Sequence, residues 1–461
     1  MQVQHFEGQT PAIVGIRARK TKPDKLRAQD VRSTEADRPG ERVTDLAPFA
    51  DLPSRSTVDL PAGLRERAAA LDAADPLARC RELFAPSEGL VAYLDGNSLG
   101  RPLTVTRERL ASFVDGPWAA RLIRSWDEGW MDAPTELGDT LGRVALGAAA
   151  GQTVVADSTT VLLYKLARAA IDARPGRSVI VADTENFPTD RFVLQGIAAE
   201  RGLELRWITP DAEAGVTPED VAAAVGQDTA LVLLSHVAYK SGYIADLPAI
   251  TRLVHDAGAL VLWDLCHSAG AVPLNLDADG VDIAVGCTYK YLNGGPGSPA
   301  FAYLAAGLQD EVRQPVQGWM GAADPFAMGA DYEPATGIRQ LISGTPPVIG
   351  MLPMRDMLAL VEEVGMPAVR EKSLALTGFA MAVADEHLAG VRVASPRDPE
   401  RRGSHIMLDH PDFKRVVAEA WARGVVPDFR PPQGLRVGLS PLSTSFTEVA
   451  EGLWVIRDLL G

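Results

Sequence analysis

Between residues 178 and 263 the chain alternates short apolar runs with segments of helical composition, and this alternation limits the fold more than any other feature. The apolar runs predict buried strands over residues 178–182, 203–208, 230–234 and 259–263. The segments between them predict helices over residues 191–201, 218–225 and 247–257. Alternating strands and helices are typical of a mainly parallel sheet with helices on both faces. We therefore expect an α/β fold that binds its ligands beyond the carboxyl ends of the strands.

Charge and cysteine content exclude several classes of function. The net charge of −15 over 461 residues disfavours a nucleic-acid partner, because binding to phosphate backbones depends on clustered positive charge. The three cysteines, Cys80, Cys266 and Cys287, lack metal-ligand spacing, and their odd number argues against a disulfide framework. We find neither an apolar stretch of membrane-spanning length nor a signal-peptide pattern. These features predict a cytoplasmic protein that binds neither metal nor membrane.

The texture of the sequence also predicts a domain organisation. Residues 1–58 combine low hydrophobicity with mixed charge, which predicts a disordered leader. Residues 59–104 are expected to contribute to a smaller domain. Residues 105–345 form the predicted large domain. After Pro347 longer helical stretches replace the alternation, and we expect residues 346–461 to form a small α+β domain.

A lysine closes one of the apolar runs. Lys290 follows the segment 282–289 and precedes the glycine-rich turn 293–297, although lysine is among the residues least often buried. An amine in apolar surroundings loses its proton more easily and can form a Schiff base with a carbonyl compound. Asp264 ends another apolar run, and a carboxylate there is what a pyridine ring nitrogen requires. The pair indicates pyridoxal phosphate, and the alternative is a solvated lysine paired with a nearby carboxylate.

Two weaker signals accompany this pair. Ser158, Thr159 and Thr160 open a helical segment, and free N–H groups with hydroxyls at a helix start suit a cofactor phosphate. An ordinary capped helix explains the same pattern. Phe187 lies at a strand-to-helix junction, where it could stack on a flat heterocycle or simply belong to the core.

An arginine lies inside a strand-like run near the carboxyl end of the chain. Arg436 is flanked by apolar residues over 434–438, and a buried guanidinium normally needs an anionic partner. A substrate α-carboxylate and an internal salt bridge are equally good candidates for that partner. His267, close after Asp264, could tune a bound ring or serve a structural role.

Taken together, the motifs resemble those of kynureninases, which are fold-type-I pyridoxal-phosphate enzymes related to class V aminotransferases. The most specific matches are residues 264–273, which read DLCHSAGAVP, and residues 287–297, which read CTYKYLNGGPG. Supporting matches occur in the family's order over residues 94–100, 125–138, 157–160, 186–190, 318–321, 344–347 and 435–442. The resemblance implies a large domain with a mainly parallel sheet and a smaller α+β domain.

The same resemblance implies a cofactor site. Lys290 would carry the cofactor and shuttle protons, Asp264 would hold the pyridine nitrogen, and Tyr289 would bind the phosphate beside them. The other implied cofactor contacts are Thr159, Thr160, Phe187, Asp190, His267, Trp319 and Thr345. Trp319 and Thr345 would come from a second subunit, which implies a homodimer with shared active sites.

The implied substrate is a small amino acid. Arg436 would bind its carboxylate, while Ser98 and Trp130 would line its pocket. The implied reaction is hydrolysis of the Cβ–Cγ bond of L-kynurenine or 3-hydroxykynurenine, giving an anthranilate and L-alanine in tryptophan catabolism.

Several positions depart from the family's pattern, namely Leu162, Ala238, Ala322 and Ser443, together with Lys240 and Ser241 in the segment HVAYKSG over residues 236–242. Ala322 stands where a histidine is common, which removes a hydrogen-bonding group and enlarges the site. A pyridoxal-phosphate lyase or aminotransferase acting on a different amino acid therefore stays open as an alternative. A catalytically silent binding relative is a further alternative, which retention of Lys290 and Asp264 disfavours.

Overall fold

The computed structural model describes residues 57–211 and 213–461, all of which belong to one compact unit. The predicted leader, residues 1–58, lies outside the described residues except for its last two. No helix in the described ranges is both long enough and apolar enough to cross a membrane.

Eleven helices and thirteen strands are defined over these residues. The helices are α1 Ala62–Ala74, α2 Val105–Phe113, α3 Ala133–Leu141, α4 Thr159–Asp172, α5 Pro188–Arg201, α6 Pro218–Ala224, α7 Leu247–Asp256, α8 Val348–Val364, α9 Met366–His387, α10 Phe413–Ala422 and α11 Phe446–Leu460. The strands are β1 Ala92–Tyr93, β2 Thr153–Ala156, β3 Val179–Asp183, β4 Glu204–Ile208, β5 Thr229–Ser235, β6 Leu260–Asp264, β7 Ile283–Cys287, β8 Ala300–Leu304, β9 Arg392–Val393, β10 His405–Asp409, β11 Val425–Val426, β12 Asp428–Arg430 and β13 Gly434–Gly438.

The larger sheet has seven strands in the order β2-β8-β7-β6-β5-β3-β4. Strands β7, β6, β5, β3 and β4 run parallel, whereas β8 is antiparallel to both of its neighbours. The predicted mainly parallel sheet is confirmed, and each of the four predicted strands is found within one residue of its expected bounds. Strand β8 was not predicted.

Both faces of this sheet are buried under helices. Along β5, Leu231 and Leu233 pack into the core beneath α4 and α5, while Val232 and Leu234 pack into the core beneath α3, α7 and α8. Successive strand side chains point to opposite faces, so a strand covered on both sides must be apolar throughout. This requirement explains the continuous apolar runs of the sequence.

A second sheet contains four antiparallel strands in the order β12-β13-β10-β9. Its apolar side packs against α9, α10 and α11 in a separate core that includes Phe379, Leu408 and Leu453. Near it, β1 pairs in parallel with β11 and so links the segment before α2 to the carboxyl-terminal part of the chain. The domain boundaries proposed at residues 104/105 and 345/346 stay a prediction.

Candidate active site

The carboxyl ends of two neighbouring strands bring Lys290 and Asp264 to one edge of the large sheet. Asp264 is the last residue of β6 and lies opposite Val285 on β7, and Lys290 follows shortly after β7 ends. Asp264 is 5% exposed and Lys290 is 8% exposed. The topology therefore places a buried amine beside a buried carboxylate on adjacent strands.

His267 contacts the lysine directly. Its Nε2 atom lies 3.3 Å from the Nζ atom of Lys290. Burial lowers the pKa of His267 well below its usual value, and the charges of Lys290 and His405 act in the same direction. His267 is therefore a neutral imidazole whose ring nitrogen can accept a hydrogen bond from the amine.

Asp190 lies close to Asp264 in the buried part of the site. Burial raises the pKa of Asp190 well above its usual value, and the neighbouring Asp264 raises it further. Asp190 is therefore a neutral carboxyl group. Asp264 accepts a hydrogen bond of 2.7 Å from the backbone N–H of Cys266. This hydrogen bond holds the Asp264 carboxyl group in one orientation.

An aromatic ring borders the amine on another side. The Nζ atom of Lys290 lies 5.8 Å from the centroid of the Phe187 ring, whose edge meets the ring of Tyr239 at 5.4 Å. The chain enters α5 here, with Phe187 preceding Pro188 at the first helical position. Close by, Asn186 Nδ2 and Asp190 Oδ2 are buried without a hydrogen-bond partner in the described part of the chain.

The predicted phosphate-binding hydroxyls lie at the start of α4. Thr159 and Thr160 are its first two residues, and the hydroxyl oxygen of Ser158 caps the helix by accepting the N–H of Val161 at 3.5 Å. Strand β2, which leads into this turn, runs in the same direction as β7 and lies two strands away, or about 10 Å at the usual strand spacing. The helix N-terminus thus faces the same sheet edge as Lys290.

A buried ion pair fixes the same turn. Lys165 on α4 is fully buried, and its Nζ atom lies 2.5 Å from Asp157 Oδ2 and 2.5 Å from the carbonyl oxygen of Leu341. Ser343 donates a hydrogen bond of 3.1 Å to the same Asp157 oxygen. The turn before α4 is therefore tied to residues 341–343.

Tyr289 lies between the amine and the buried thiol of Cys287. Burial is the main cause that raises the pKa of the Tyr289 phenol, and the neighbouring Cys287 raises it further. Tyr289 is therefore a neutral phenol able to donate a hydrogen bond. Its carbonyl oxygen accepts the N–H of Gly100 at 2.8 Å, so the turn over residues 94–100 closes on this strand end.

Arg436 on β13 is buried among polar partners. Its Nη1 atom donates to the Tyr239 carbonyl oxygen at 2.8 Å, and its Nη2 atom donates to Ser98 Oγ at 2.8 Å. The same Nη2 atom lies 2.6 Å from Asp428 Oδ2. The internal salt bridge that the sequence left open is thus present, and Ser98 and Arg436 are brought together as expected.

The comparisons with known proteins agree with this geometry. Residues 369–456 match the model of the kynureninase C-terminal domain, and residues 146–275 match that of the DegT/DnrJ/EryC1/StrS aminotransferase family. The chain is 42% identical over 400 residues to a kynureninase of Pseudomonas fluorescens, covering 85% of this chain and 94% of that protein. It is also 42% identical over 405 residues to a kynureninase of Burkholderia pseudomallei strain K96243, covering 86% of this chain and 95% of that protein.

This chain belongs to the kynureninase family. The fold is shared more widely with pyridoxal-phosphate enzymes of fold type I. A variant of C-DES with glycine covalently linked to its PLP cofactor aligns with a TM-score of 0.68 at 17% identity, covering 80% of this chain and 96% of that one. The cysteine desulfurase CsdA from Escherichia coli aligns with a TM-score of 0.69 at 16% identity, covering 83% and 98%. The sequence-based assignments of family and fold are confirmed.

Of three residues expected in a kynureninase site, Trp319 and Thr345 are exposed and Trp130 is half-buried. Trp319 is 45% exposed and its ring contacts Phe326, while Thr345 is exposed just before Pro346. Trp130 stacks on Phe113 at 5.6 Å and meets Trp126 edge-on at 5.3 Å. A groove, named here the aromatic groove, is lined by Phe113, Trp118, Trp126, Trp130 and residues 346–350. Trp130 and the residues that follow Thr345 therefore share an exposed apolar surface instead of packing around Lys290.

The positions that depart from the kynureninase pattern fall in different environments. Leu162 is fully buried in the core of the large sheet. Ala238 pairs with Tyr243 in a tight loop, and Ser443 is buried close to Arg101, which donates to its carbonyl oxygen at 3.3 Å. Ala322 is half-buried and pairs with Pro334 in a short bridge close to Trp319. Ala322 is thus the departure nearest to the exposed part of the predicted site.

Sequence reasoning missed residues that contact the predicted ones. The ring of His405 lies 5.4 Å from that of His267, and both of its nitrogens are buried without a partner in the described chain. Tyr239 contacts Phe187 and Arg436, and Asp428 pairs with Arg436. An isolated histidine, tyrosine or aspartate carries no spacing signal, so only the fold reveals these neighbours.

Proposed function

We propose that this chain is a kynureninase-type hydrolase that carries pyridoxal phosphate on Lys290. The observation that carries the proposal is the buried amine of Lys290, held among His267, Phe187 and the Asp264 strand in a member of the kynureninase family. The proposed reaction cleaves the Cβ–Cγ bond of L-kynurenine or 3-hydroxykynurenine with water, giving an anthranilate and L-alanine.

Each part of the cofactor has a matching group along the sheet edge. The aldehyde of the cofactor would react with the buried Lys290 amine, and its ring would stack on the face of Phe187. The ring nitrogen matches Asp264, and the phosphate matches the start of α4 with Thr159 and Thr160. The unpartnered Asn186 Nδ2 and Asp190 Oδ2 atoms also indicate a polar ligand here, because buried polar atoms are normally hydrogen-bonded. The residues present therefore fit pyridoxal phosphate.

Bound pyridoxal phosphate supplies an electron sink for negative charge on the substrate carbon atoms. Lys290 would take the proton from the substrate Cα atom, because its buried amine lies among the groups that fit the cofactor. His267 keeps that amine oriented by accepting its hydrogen bond at 3.3 Å. Asp264 would hold the ring nitrogen, with the neutral carboxyl group of Asp190 beside it. The phenol of Tyr289 can return a proton to the leaving part of the substrate.

Arg436 and Ser98 form the proposed site for the substrate α-carboxylate. The guanidinium and the hydroxyl are in contact at 2.8 Å, and together they present a charged and a neutral donor. Binding there fixes the amino acid at one end, so that its Cα atom lies above Lys290. Family membership supports this role over a purely structural one for Arg436.

The proposed enzyme is a homodimer with shared active sites. Trp319 and Thr345 are exposed, and the neighbouring aromatic groove leaves Trp118 49% exposed and Ile349 45% exposed. Contiguous exposed apolar surface of this kind is typical of interaction sites. A second copy seated on it would receive Trp319, Thr345 and Trp130 beside its own Lys290. A cytoplasmic location remains a prediction.

The decisive experiment is an assay of the purified, pyridoxal-phosphate-loaded protein with L-kynurenine and 3-hydroxykynurenine. We expect equal amounts of L-alanine and the corresponding anthranilate, measured by mass spectrometry. Absence of both anthranilates would refute the proposed reaction. Release of pyruvate, or conversion of the cofactor to its amine form, would instead support the lyase or aminotransferase alternative.

A further inference from the structure

Each nitrogen of the Arg436 guanidinium already has a polar partner in the present arrangement. Its two terminal nitrogens bind the Tyr239 carbonyl oxygen, Ser98 and Asp428. In the amide orientation that satisfies both groups, the oxygen of buried Asn97 accepts Nε at 2.7 Å. A substrate carboxylate can therefore bind Arg436 only by displacing a group that is already there.

Asp428 is the nearer of two carboxylates beside Arg436. Tyr239 and Ser98 offer neutral oxygens, whereas Asp428 presents a carboxylate 2.6 Å from Nη2, and the Asp95 carboxylate lies farther off, at 3.8 Å from the same atom. A buried arginine is stabilised by a close counter-charge, and removing one partner of a buried ion pair is strongly destabilising. The free protein thus keeps a carboxylate where the substrate carboxylate belongs.

A second guanidinium gives this carboxylate an alternative partner. The Nε atom of Arg430 lies 2.8 Å from the same Oδ2 atom of Asp428. On the antiparallel β12–β13 pair, Asp428 lies opposite Arg436 and Arg430 lies opposite Gly434. Asp428 and Arg430 are two residues apart on one strand, so their side chains share a face.

Exposure increases outward along these three side chains. Arg436 is 2% exposed, Asp428 is 17% exposed and Arg430 is 30% exposed. The guanidinium of Arg430 also lies 5.9 Å from the Tyr239 ring, whose edge contacts Phe187. Asp428 can therefore move toward solvent while it keeps a positively charged partner.

We propose that Asp428 occupies the substrate-carboxylate position on Arg436 in the free protein and yields it to the substrate by pairing with Arg430 alone. This inference rests on the proposed role of Arg436 and assigns Asp428 and Arg430 as residues that determine specificity. The resident carboxylate keeps Arg436 charged and oriented. It also disfavours simple anions, because they lack the further contacts with which an amino acid substrate displaces it.

The experiment measures how much the carboxylate of a ligand contributes to its binding affinity. L-Alanine and L-alaninamide are titrated against the pyridoxal-phosphate-loaded protein by calorimetry and by the change in cofactor absorption. In Asp428→Asn we expect the Kd of L-alanine to fall about tenfold, because the competing charge is gone, while the Kd of the amide stays unchanged. An unchanged or higher Kd for L-alanine in a folded Asp428→Asn protein would overturn the proposal.

Asp409→Asn is the matched control. Asp409 lies on β10 of the same sheet, is also 17% exposed and pairs with the arginine Arg392. On β10 it lies opposite Gly434, two residues along from the position opposite Arg436, and its carboxylate pairs with Arg392 instead of with Arg436 or Arg430. We expect Asp409→Asn to leave the alanine-to-amide ratio at the wild-type value. An equal shift in this variant would mean that the effect reflects net charge and would overturn the proposal.

Arg430→Gln tests the exchange itself. In the wild-type background it leaves Asp428 with Arg436 alone, so the Kd of L-alanine should rise. In the Asp428→Asn background the same change should have a much smaller effect, because the carboxylate that contacts both arginines is gone and the Asp95 carboxylate is the same in both backgrounds. An undiminished effect in the double variant would show that Arg430 binds ligand directly and would overturn the exchange.

These titrations do not depend on turnover. If the protein fails to release anthranilate but shows the expected alanine shifts, the proposed reaction falls and the role of Asp428 stands. If anthranilate is released and the shifts are absent, the role of Asp428 falls and the reaction stands.

Discussion

The two parts of the predicted site differ in how the chain builds them. Around Lys290, neighbouring strands of one sheet deliver the amine, the Asp264 carboxyl group and the entry to α5, and the side chains of Lys290 and Asp264 are buried. Around the aromatic groove, the lining comes from helical turns and the start of α8, and side chains such as Trp118 and Ile349 remain exposed beside the half-buried Trp130.

This difference indicates which half of the site a single chain can complete. Groups at the ends of adjacent strands are held by the sheet, so their geometry is set by folding alone. Exposed aromatic side chains gain little until another surface covers them. We infer that folding of one chain is enough to form the cofactor site, whereas the outer part of the substrate pocket forms only when two subunits associate.

The largest effect should come from Lys290→Ala. Removing the amine abolishes covalent attachment of the cofactor and the proton transfer at the substrate Cα atom, so kcat should fall by about a thousandfold or more. The measurement is anthranilate release together with loss of the cofactor's visible absorption. The surface variant Ile349→Ala, in the aromatic groove, should keep that absorption, and retention of full activity in Lys290→Ala would contradict the assignment.

The next prediction concerns the boundary between the two regions. Lys290→Ala and Trp319→Ala should each be inactive alone. The first variant lacks the buried amine, and the second lacks the exposed indole that we expect to complete the pocket of the other subunit. In an equal mixture that exchanges subunits, half of the dimers are mixed and each holds one intact site. Activity should then recover to about a quarter of wild type.

Complementation is read by assaying the mixture before and after subunit exchange. Mixing Lys290→Ala with Asp264→Ala is the control, because both defects lie in the region built by one sheet and a mixed dimer then contains no intact site. No recovery in the test mixture would place Trp319 in the same chain's site. Recovery in the control would mean that Lys290 and Asp264 of one site come from different chains, which would contradict their delivery by one sheet.

Sequence patterns predicted the buried region well and the exposed region poorly. The strands beside Asp264 and Lys290 were predictable because a sheet covered on both faces needs continuous apolar runs. No helix or strand was predicted over residues 105–146, which fold into two short helices joined by irregular helical turns. Strand β8 was missed because its reversed direction depends on pairing with β7 and β2, which no local pattern encodes.

The partners of Arg436 show the same limit at the scale of single residues. A buried arginine implied an anion, and the salt bridge to Asp428 is present. The identity of the acid that pairs with Arg436 follows from the β12–β13 register. The same register explains why Arg430 contacts that acid too. The contact of His405 with His267 likewise joins two strand ends from different sheets.

A smaller effect should separate cofactor binding from general stability. Lys165→Met leaves Asp157 without its buried partner and frees the turn before α4. We expect a loss of about 3 kcal/mol in the free energy of unfolding, measured by urea denaturation. We also expect the Kd for pyridoxal phosphate to rise about tenfold, because the phosphate-binding turn is no longer fixed.

Lys372→Met is the matched control for this change. Lys372 lies on α9 and its side chain is 4% exposed. Its Nζ atom lies 2.5 Å from Asp75 Oδ2 and also contacts the ring of Phe446 on α11. It should lose similar stability while the Kd for pyridoxal phosphate stays constant. Equal losses of cofactor affinity in both variants would mean that Lys165 acts only through the stability of the fold.

The smallest effect is a difference in pH dependence between the two regions. Burial raises the pKa of Asp183, at the end of β3, from 3.8 to about 7. The folded protein therefore holds a proton that the unfolded chain releases between these values, so this contribution to stability is full below pH 3.8 and is lost as the pH rises to about 7. Asp183→Asn should remove this slope and stabilise the protein at pH 8 relative to wild type by about 2 kcal/mol.

Glu128, at the rim of the exposed region, should behave in the opposite sense. Its contact with Arg121 lowers its pKa, so the stability that it contributes is present at neutral pH and is lost as the pH falls. The exposure of this pair makes the effect small and sensitive to salt. Melting temperatures of both variants, Asp183→Asn and Glu128→Gln, should be measured from pH 5 to pH 8. Relative to wild type, that of Asp183→Asn should rise as the pH approaches 8, whereas that of Glu128→Gln should stay slightly lower at every pH, because Glu128 is ionised across this range. Parallel plots of melting temperature against pH for the two variants would show that the sheet edge around Asp183 is as accessible to water as the aromatic groove. The contrast between a buried cofactor site and an exposed apolar groove would then be wrong.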